Sequence, residues 1–179
     1  MSPRPSSRER ILNSAEDVIA ETGAIHLTLD AVAERAELSK GGLLYHFPTK
    51  DALLEALLQR QLARFQERAD KAMARTPEGP GRRLRAHVLS WGAYDERMDR
   101  LSMAILAASI YNPELLESAC ARYREAFDEF VAEGDQPERA ALITCAINGF
   151  WFTRLLGVSP FGDELKQALV AELVRLIDQ

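Results

Sequence analysis

Apolar residues recur at helical spacing along almost the whole chain, and the interruptions fall at proline and glycine. The strict alternation that marks a half-buried strand is nearly absent. Helices patterned this way bury their apolar stripes only by packing on other helices, so the expected fold class is all-α, with about nine helices. The breaks place them near residues 8–22, 29–36, 40–46, 50–74, 82–95, 97–110, 113–133, 137–157 and 162–178. Local start and stop signals agree. Ser6 and Glu9 have capping-box spacing, Thr28 and Thr49 precede helical runs, and Pro113 and Pro137 occupy first helical positions, where a missing N–H costs nothing. Gly23 is a plausible left-handed stop after the first helix. The stretch from Thr76 to Gly81 is the clearest linker.

Composition narrows the function classes. With 47% hydrophobic residues in 179, the chain can bury a core. A formal net charge of -5 argues against a general coat for polyanions, so any nucleic-acid contact must come from a local basic patch. The first eight residues lack the apolar run of a signal peptide. The greasiest segment, Ala140 to Val158, is interrupted by Thr144, Asn148 and Arg154, which favours a buried helix over a membrane span. A cytoplasmic protein without membrane contact is expected. Cys120 and Cys145, set among apolar neighbours, read as small buried hydrophobes. Neither they nor His26, His46 and His87 have metal-ligand spacing, and no nucleophile elbow, phosphate loop or paired carboxylates occur, so no cofactor, metal or catalysis is expected.

The second and third helices carry the functional inference. Two short helices are joined by the turn Glu37-Leu38-Ser39, with the small Ala33 in the first and the apolar Leu38 in the turn. The small residue permits a close crossing and Leu38 fills the wedge, which describes a helix-turn-helix. By spacing alone, a plain helical hairpin fits equally well. The local sequence decides more. The run from Thr28 through Leu54, TLDAVAERAELSKGGLLYHFPTKDALL, closely resembles the DNA-binding signature of the tetracycline-repressor (TetR) family, and the resemblance extends over residues 8 to about 58.

That resemblance implies a three-helix DNA-binding domain at 1–54 and a ligand-binding and dimerisation domain at 55–179. The implied partners are a palindromic double-stranded operator, a second copy of the chain and a small-molecule effector that releases the DNA. The DNA-contacting residues it implies are Thr28, Ser39, Lys40, Gly41, Gly42, Leu44, Tyr45, His46, Thr49 and Lys50. Their chemistry suits the role. Glycines allow close backbone approach, hydroxyls and lysines meet phosphates, and Tyr45 and His46 supply polar rings. Leu43 and Phe47 are expected to lock the short helix onto its neighbours. The chain departs from the family pattern twice. Glu37 stands at a turn position where the family usually has glycine, and Leu44 stands where a phosphate-binding tyrosine is frequent. Residues 1–50 hold six basic and seven acidic side chains, but Asp30, Glu34 and Glu37 share one helix face, away from the basic ends of the third helix.

The later helices are read through the same resemblance. The eighth is apolar on nearly all sides and the ninth is strongly amphipathic. The resemblance pairs them with their symmetry mates, with Ile147, Phe150, Trp151, Arg154, Leu169 and Leu173 as interface candidates. Trp91, Tyr94, Met98, Met103, Tyr123, Phe127, Asn148 and Phe152 are the candidate lining of an effector pocket for an apolar or aromatic ligand. The rival readings are a small helical enzyme or carrier with an incidental hairpin, and a DNA-binding architectural protein with no effector.

Overall fold

A computed structural model describes residues 5–23, 26–91, 96–134 and 136–179. Among them it contains nine α-helices: α1 (Ser7–Thr22), α2 (Leu29–Arg35), α3 (Lys40–His46), α4 (Lys50–Arg75), α5 (Arg82–Ser90), α6 (Glu96–Ser109), α7 (Glu117–Ala132), α8 (Pro137–Leu155) and α9 (Asp163–Ile177). A 3₁₀ turn at Pro113–Leu116 precedes α7. The run expected as one helix from 113 to 133 is thus divided. Pro113 cannot donate a hydrogen bond, and Leu115 N–H closes a tighter i→i+3 ring on Asn112 C=O at 3.2 Å.

The helix starts follow from local chemistry. Ser6, Thr28, Ser39 and Thr49 each accept a backbone N–H three residues on, at 3.0–3.2 Å. Each thereby satisfies one of the donors a helix leaves unpaired at its first turn.

The chain forms two compact units. The first comprises residues 1–62 and 95–118, the second 63–94 and 119–179. This division differs from the single cut after residue 54 expected from the motif. The reason is α6, which packs on α1 although it lies far away in sequence. Met98, Leu101, Ala104 and Ile105 are buried, as are Ile11, Leu12, Ala15, Val18 and Ile19 of α1. Polar links hold the same unit together. Gln61, 3% exposed, donates to Ser102 Oγ at 2.6 Å and to Met98 C=O at 3.3 Å, tying α4 to α6. Arg100 donates to Ala20 C=O in the last turn of α1, where a cation complements the helix dipole. The buried Glu16 is met by Arg60 at 3.5 Å.

In the second unit, Leu84, Val88, Phe130, Ala140, Ile143, Ile147, Leu173 and Ile177 form one core. Ala140, Ile143 and Ile147 define the inner face of α8. The other side shows Leu142 (65% exposed), Cys145, Gly149, Phe152 (45%) and Leu156 (51%) at i, i+3, i+7, i+10 and i+14. Two expectations are corrected here. Cys120 and Cys145 are exposed rather than buried, because their helices turn those faces outward. Ile147 and Leu173, expected at a dimer interface, are 3% and 7% exposed within one chain and belong to its own core. Among the described residues no helix is long and apolar enough to cross a membrane. No group of three or more metal-ligating side chains occurs among them either.

Candidate functional site

The helix-turn-helix is built by backbone chemistry at the end of α2. Leu38 N–H bonds Ala33 C=O at 3.0 Å and Glu37 N–H bonds Glu34 C=O at 3.1 Å. This is the bonding of a Schellman motif, in which the residue after the cap takes a left-handed conformation. That residue is Glu37, with φ 53°, the one non-glycine residue of positive φ among those described. The same pattern ends α8, where Gly157 N–H bonds Arg154 C=O, Val158 N–H bonds Thr153 C=O, and Gly157 has φ 70°. Arg10 reinforces the turn by donating to Ala36 C=O at 2.5 Å.

The turn aims α3 outward on one side only. Leu43 is fully buried and Phe47 is 3% exposed, as their expected locking role requires. Arg8 lies over the Phe47 ring, 5.4 Å from its centroid. On the other side Ser39, Lys40, Gly41 and Tyr45 are exposed, while Gly42, Leu44 and His46 are half-buried. Tyr45, 86% exposed, meets the His46 ring edge-on at 5.3 Å. Thr28, Thr49 and Lys50 are exposed beside this surface. The capping hydroxyls of Thr28, Ser39 and Thr49 accept backbone N–H groups, which leaves their own O–H able to donate to a phosphate. Lys40 Nζ sits 2.8 Å from Asp30 Oδ1, an exposed ion pair that corrects the expected separation of the acidic face from the basic ends of the third helix, because the turn brings the start of α3 back beside the start of α2. A Cβ on Gly41 would meet nothing within 4 Å, and one on Gly42 would lie 3.3 Å from Ser39 Oγ. Packing in the free protein therefore does not demand glycine at position 41, whereas a side chain at position 42 would press on the capping hydroxyl of Ser39.

The second unit holds an aromatic cluster. Trp91 stacks on Phe65 at 6.2 Å and meets His87 edge-on at 6.1 Å and Trp151 edge-on at 6.0 Å. His87 in turn lies 5.3 Å from Phe130. Burial pushes the His87 imidazole down to about 4, so the ring is neutral at physiological pH. Of the expected pocket residues, Trp91, Phe127 and Asn148 are half-buried in this unit. Tyr123 and Phe152 are exposed at 44% and 45%, and Met98 and Met103 belong to the first unit. Tyr94 lies outside the described residues. Phe65, His87, Phe130 and Thr144 were missed in the sequence. The i, i+4 spacing of His87 and Trp91, and the i, i+4, i+7 spacing of Thr144, Asn148 and Trp151, were the available signals.

Comparison with known proteins decides between a helical hairpin and a DNA reader. Residues 11–57 match the family of bacterial regulatory proteins called tetR, and residues 81–178 match the tetracyclin repressor-like C-terminal domain. The chain belongs to the TetR family. It is similar to the HTH-type transcriptional regulator BetI of Klebsiella pneumoniae (strain 342), 25% identical over 96% of this chain and 94% of the relative. The regulator UidR of Escherichia coli (strain K12) is 37% identical over 65 residues, covering 34% of this chain and 33% of UidR. Among solved structures, the multidrug binding protein EbrR complexed with malachite green superposes with TM-score 0.70 at 26% identity, covering 96% of this chain and 98% of EbrR. A TetR-family member from Streptomyces coelicolor A3 superposes with TM-score 0.73 at 24% identity, covering 94% and 98% of the two chains. This TetR-family regulator is accordingly a DNA-binding transcriptional regulator, with α2 and α3 as its helix-turn-helix. The enzyme or carrier reading is not favoured.

Proposed function

We propose that the protein is a cytoplasmic repressor that binds a palindromic operator as a homodimer and is released by a flat aromatic effector. The carrying observation is the two-sidedness of α3. Leu43 and Phe47 anchor it in the core, while Gly41 and Tyr45 face outward, flanked by Ser39, Lys40, Thr49 and Lys50. Such a helix enters a major groove with hydroxyls and lysines on the adjacent phosphates. Thr28, Gly42, Leu44 and His46 complete the surface, with Leu44 suited to a thymine methyl.

Dimerisation is supported by the uncovered apolar stripe of α8, Leu142, Cys145, Gly149, Phe152 and Leu156, continued on α9 by Leu165 and Ala168. The partly buried Phe150, Trp151, Arg154 and Leu169 flank it. A two-fold pairing through this stripe sets two recognition helices for half-sites about 34–36 Å apart. The effector reading is supported by the cluster of Phe65, Trp91, Trp151 and Phe130, and by EbrR, which was solved with ethidium and malachite green. An effector that empties a nearly full operator must prefer the released state by about 10⁴-fold.

The test is selection of duplexes bound from a random library, followed by affinity measurement at several salt concentrations. A palindromic consensus bound at least about a thousandfold more tightly than random DNA is expected. Equal affinity for selected and random duplexes refutes the proposal.

A further inference from the structure

Among the described residues of the second unit, His87 Nε2, Thr144 Oγ1 and Asn148 Oδ1 are buried without a hydrogen-bond partner. Buried polar atoms are paired as a rule, so three such atoms in one region need a reason. Thr144 is the sharpest case. A threonine inside a helix ordinarily donates to the carbonyl four residues back. Thr22 does so to Val18 at 2.8 Å, Thr76 to Ala72 at 2.8 Å and Thr153 to Gly149 at 2.9 Å. Thr144 makes no such bond.

Thr144, Asn148 and Trp151 lie at i, i+4 and i+7, one face of α8. His87 lies on α5 four residues before Trp91. Trp91 touches both His87 and Trp151, so the two stripes meet at the tryptophan pair. The site therefore presents large aromatic faces beside a cluster of unsatisfied acceptors. An amide oxygen accepts only, and a hydroxyl and an imidazole nitrogen both can accept.

We propose that this cluster recognises a flat aromatic molecule bearing N–H or O–H donors on one edge, an aryl amine above all, which stacks on one ring of the tryptophan pair, meets the other edge-on because the two planes are inclined at 70°, and donates to Asn148 Oδ1, Thr144 Oγ1 and His87 Nε2. The inference rests on the effector reading above and narrows it from flat aromatics in general to those with a donor edge. The orphaned atoms lower the stability of the free protein and are repaid on binding, a trade common at ligand sites.

The chain has two tryptophans, Trp91 and Trp151, so intrinsic fluorescence reports on this site alone. Two dyes with the same tricyclic cationic ring serve as probes. Thionine carries primary amines, and methylene blue carries dimethylamino groups without a single N–H. Titrated into the full-length protein without DNA, thionine is expected to quench with about tenfold or greater affinity over methylene blue, the worth of one well-made bond to a buried acceptor. Thr144→Val and Asn148→Leu, each close in volume to the original, are expected to remove that preference. Both are also expected to raise the thermal midpoint of the ligand-free protein, a gain that a merely structural residue would not give. Thr144→Val is isosteric and carries the test even where Asn148→Leu fails to fold. Equal affinity for the two dyes, or a thionine preference that survives both substitutions, overturns the donor-edge inference and leaves the effector reading standing. Absence of quenching by either dye refutes the effector reading itself, and this inference with it.

Discussion

Replacing Glu37 with glycine should stabilise the protein, although it deletes a charge near a cation. Glu37 occupies the left-handed position of the α2 Schellman motif at φ 53°, where Gly157 stands in the corresponding place after α8. A side chain in that region costs about 1–2 kcal/mol, because Cβ crowds the following carbonyl. Glycine removes the cost but has greater freedom in the unfolded chain, which returns about 0.5–1 kcal/mol. The side chain itself contributes little. Its carboxylate is 4.0 Å from Arg10 Nη2 and 89% exposed, and such pairs contribute from nothing to about 1 kcal/mol. Arg10 keeps its bond to Ala36 C=O. The expected net gain is about 0.5–1 kcal/mol, or roughly 1–4 °C in midpoint for a chain of this size. Glu37→Ala removes the same charge without relieving the backbone and should give no gain. Urea and thermal unfolding followed by circular dichroism of the two variants separate the terms. A Glu37→Gly protein no more stable than Glu37→Ala would refute the assignment of strain to this turn.

Lys50→Ala should weaken binding to every duplex alike and reduce the salt dependence by about one ion, whereas Gly42→Leu should abolish operator binding with no loss of helicity, both read by fluorescence anisotropy and circular dichroism. Leu142→Asp or Phe152→Asp should yield a folded monomer in sedimentation, while Ile147→Asp should unfold the second unit, since Ile147 is 3% exposed in the single chain. Alkylation of Cys145 should be slow in the dimer and that of Cys120 fast. His87 is neutral in the fold, with its pKa lowered from 6.5 to about 4. The unfolded chain therefore binds the extra proton between those values, and stability should fall as pH drops from 6.5 to 4, by at most about 3 kcal/mol. His87→Phe should flatten that part of the stability profile in urea titrations across pH.

The DNA-reading element was legible in the sequence because its chemistry is short-range. Thr28, Ser39 and Thr49 cap through bonds spanning three residues, the Schellman turn closes within six, and Leu43 and Phe47 share one helix face over four. Interactions of that reach depend on residue order alone, so Thr28 through Lys50 carried both the motif and the departure at Glu37. The ion pair of Lys40 with Asp30 lay beyond it, since ten residues and a turn separate the partners. The second unit was less legible for a physical reason. A helix that is apolar on every side, like α8, has no preferred inner face, and only its neighbours choose one. Leu84, Val88, Leu173 and Ile177 drew Ile143 and Ile147 inward and left Leu142, Cys145 and Phe152 outside. The same long-range packing gave α6 to the first unit, because Met98, Leu101 and Ile105 are buried there with α1 packed against their helix, nearly a hundred residues before them in the chain. Amphipathicity determined that these helices must pack, and tertiary contact decided against what.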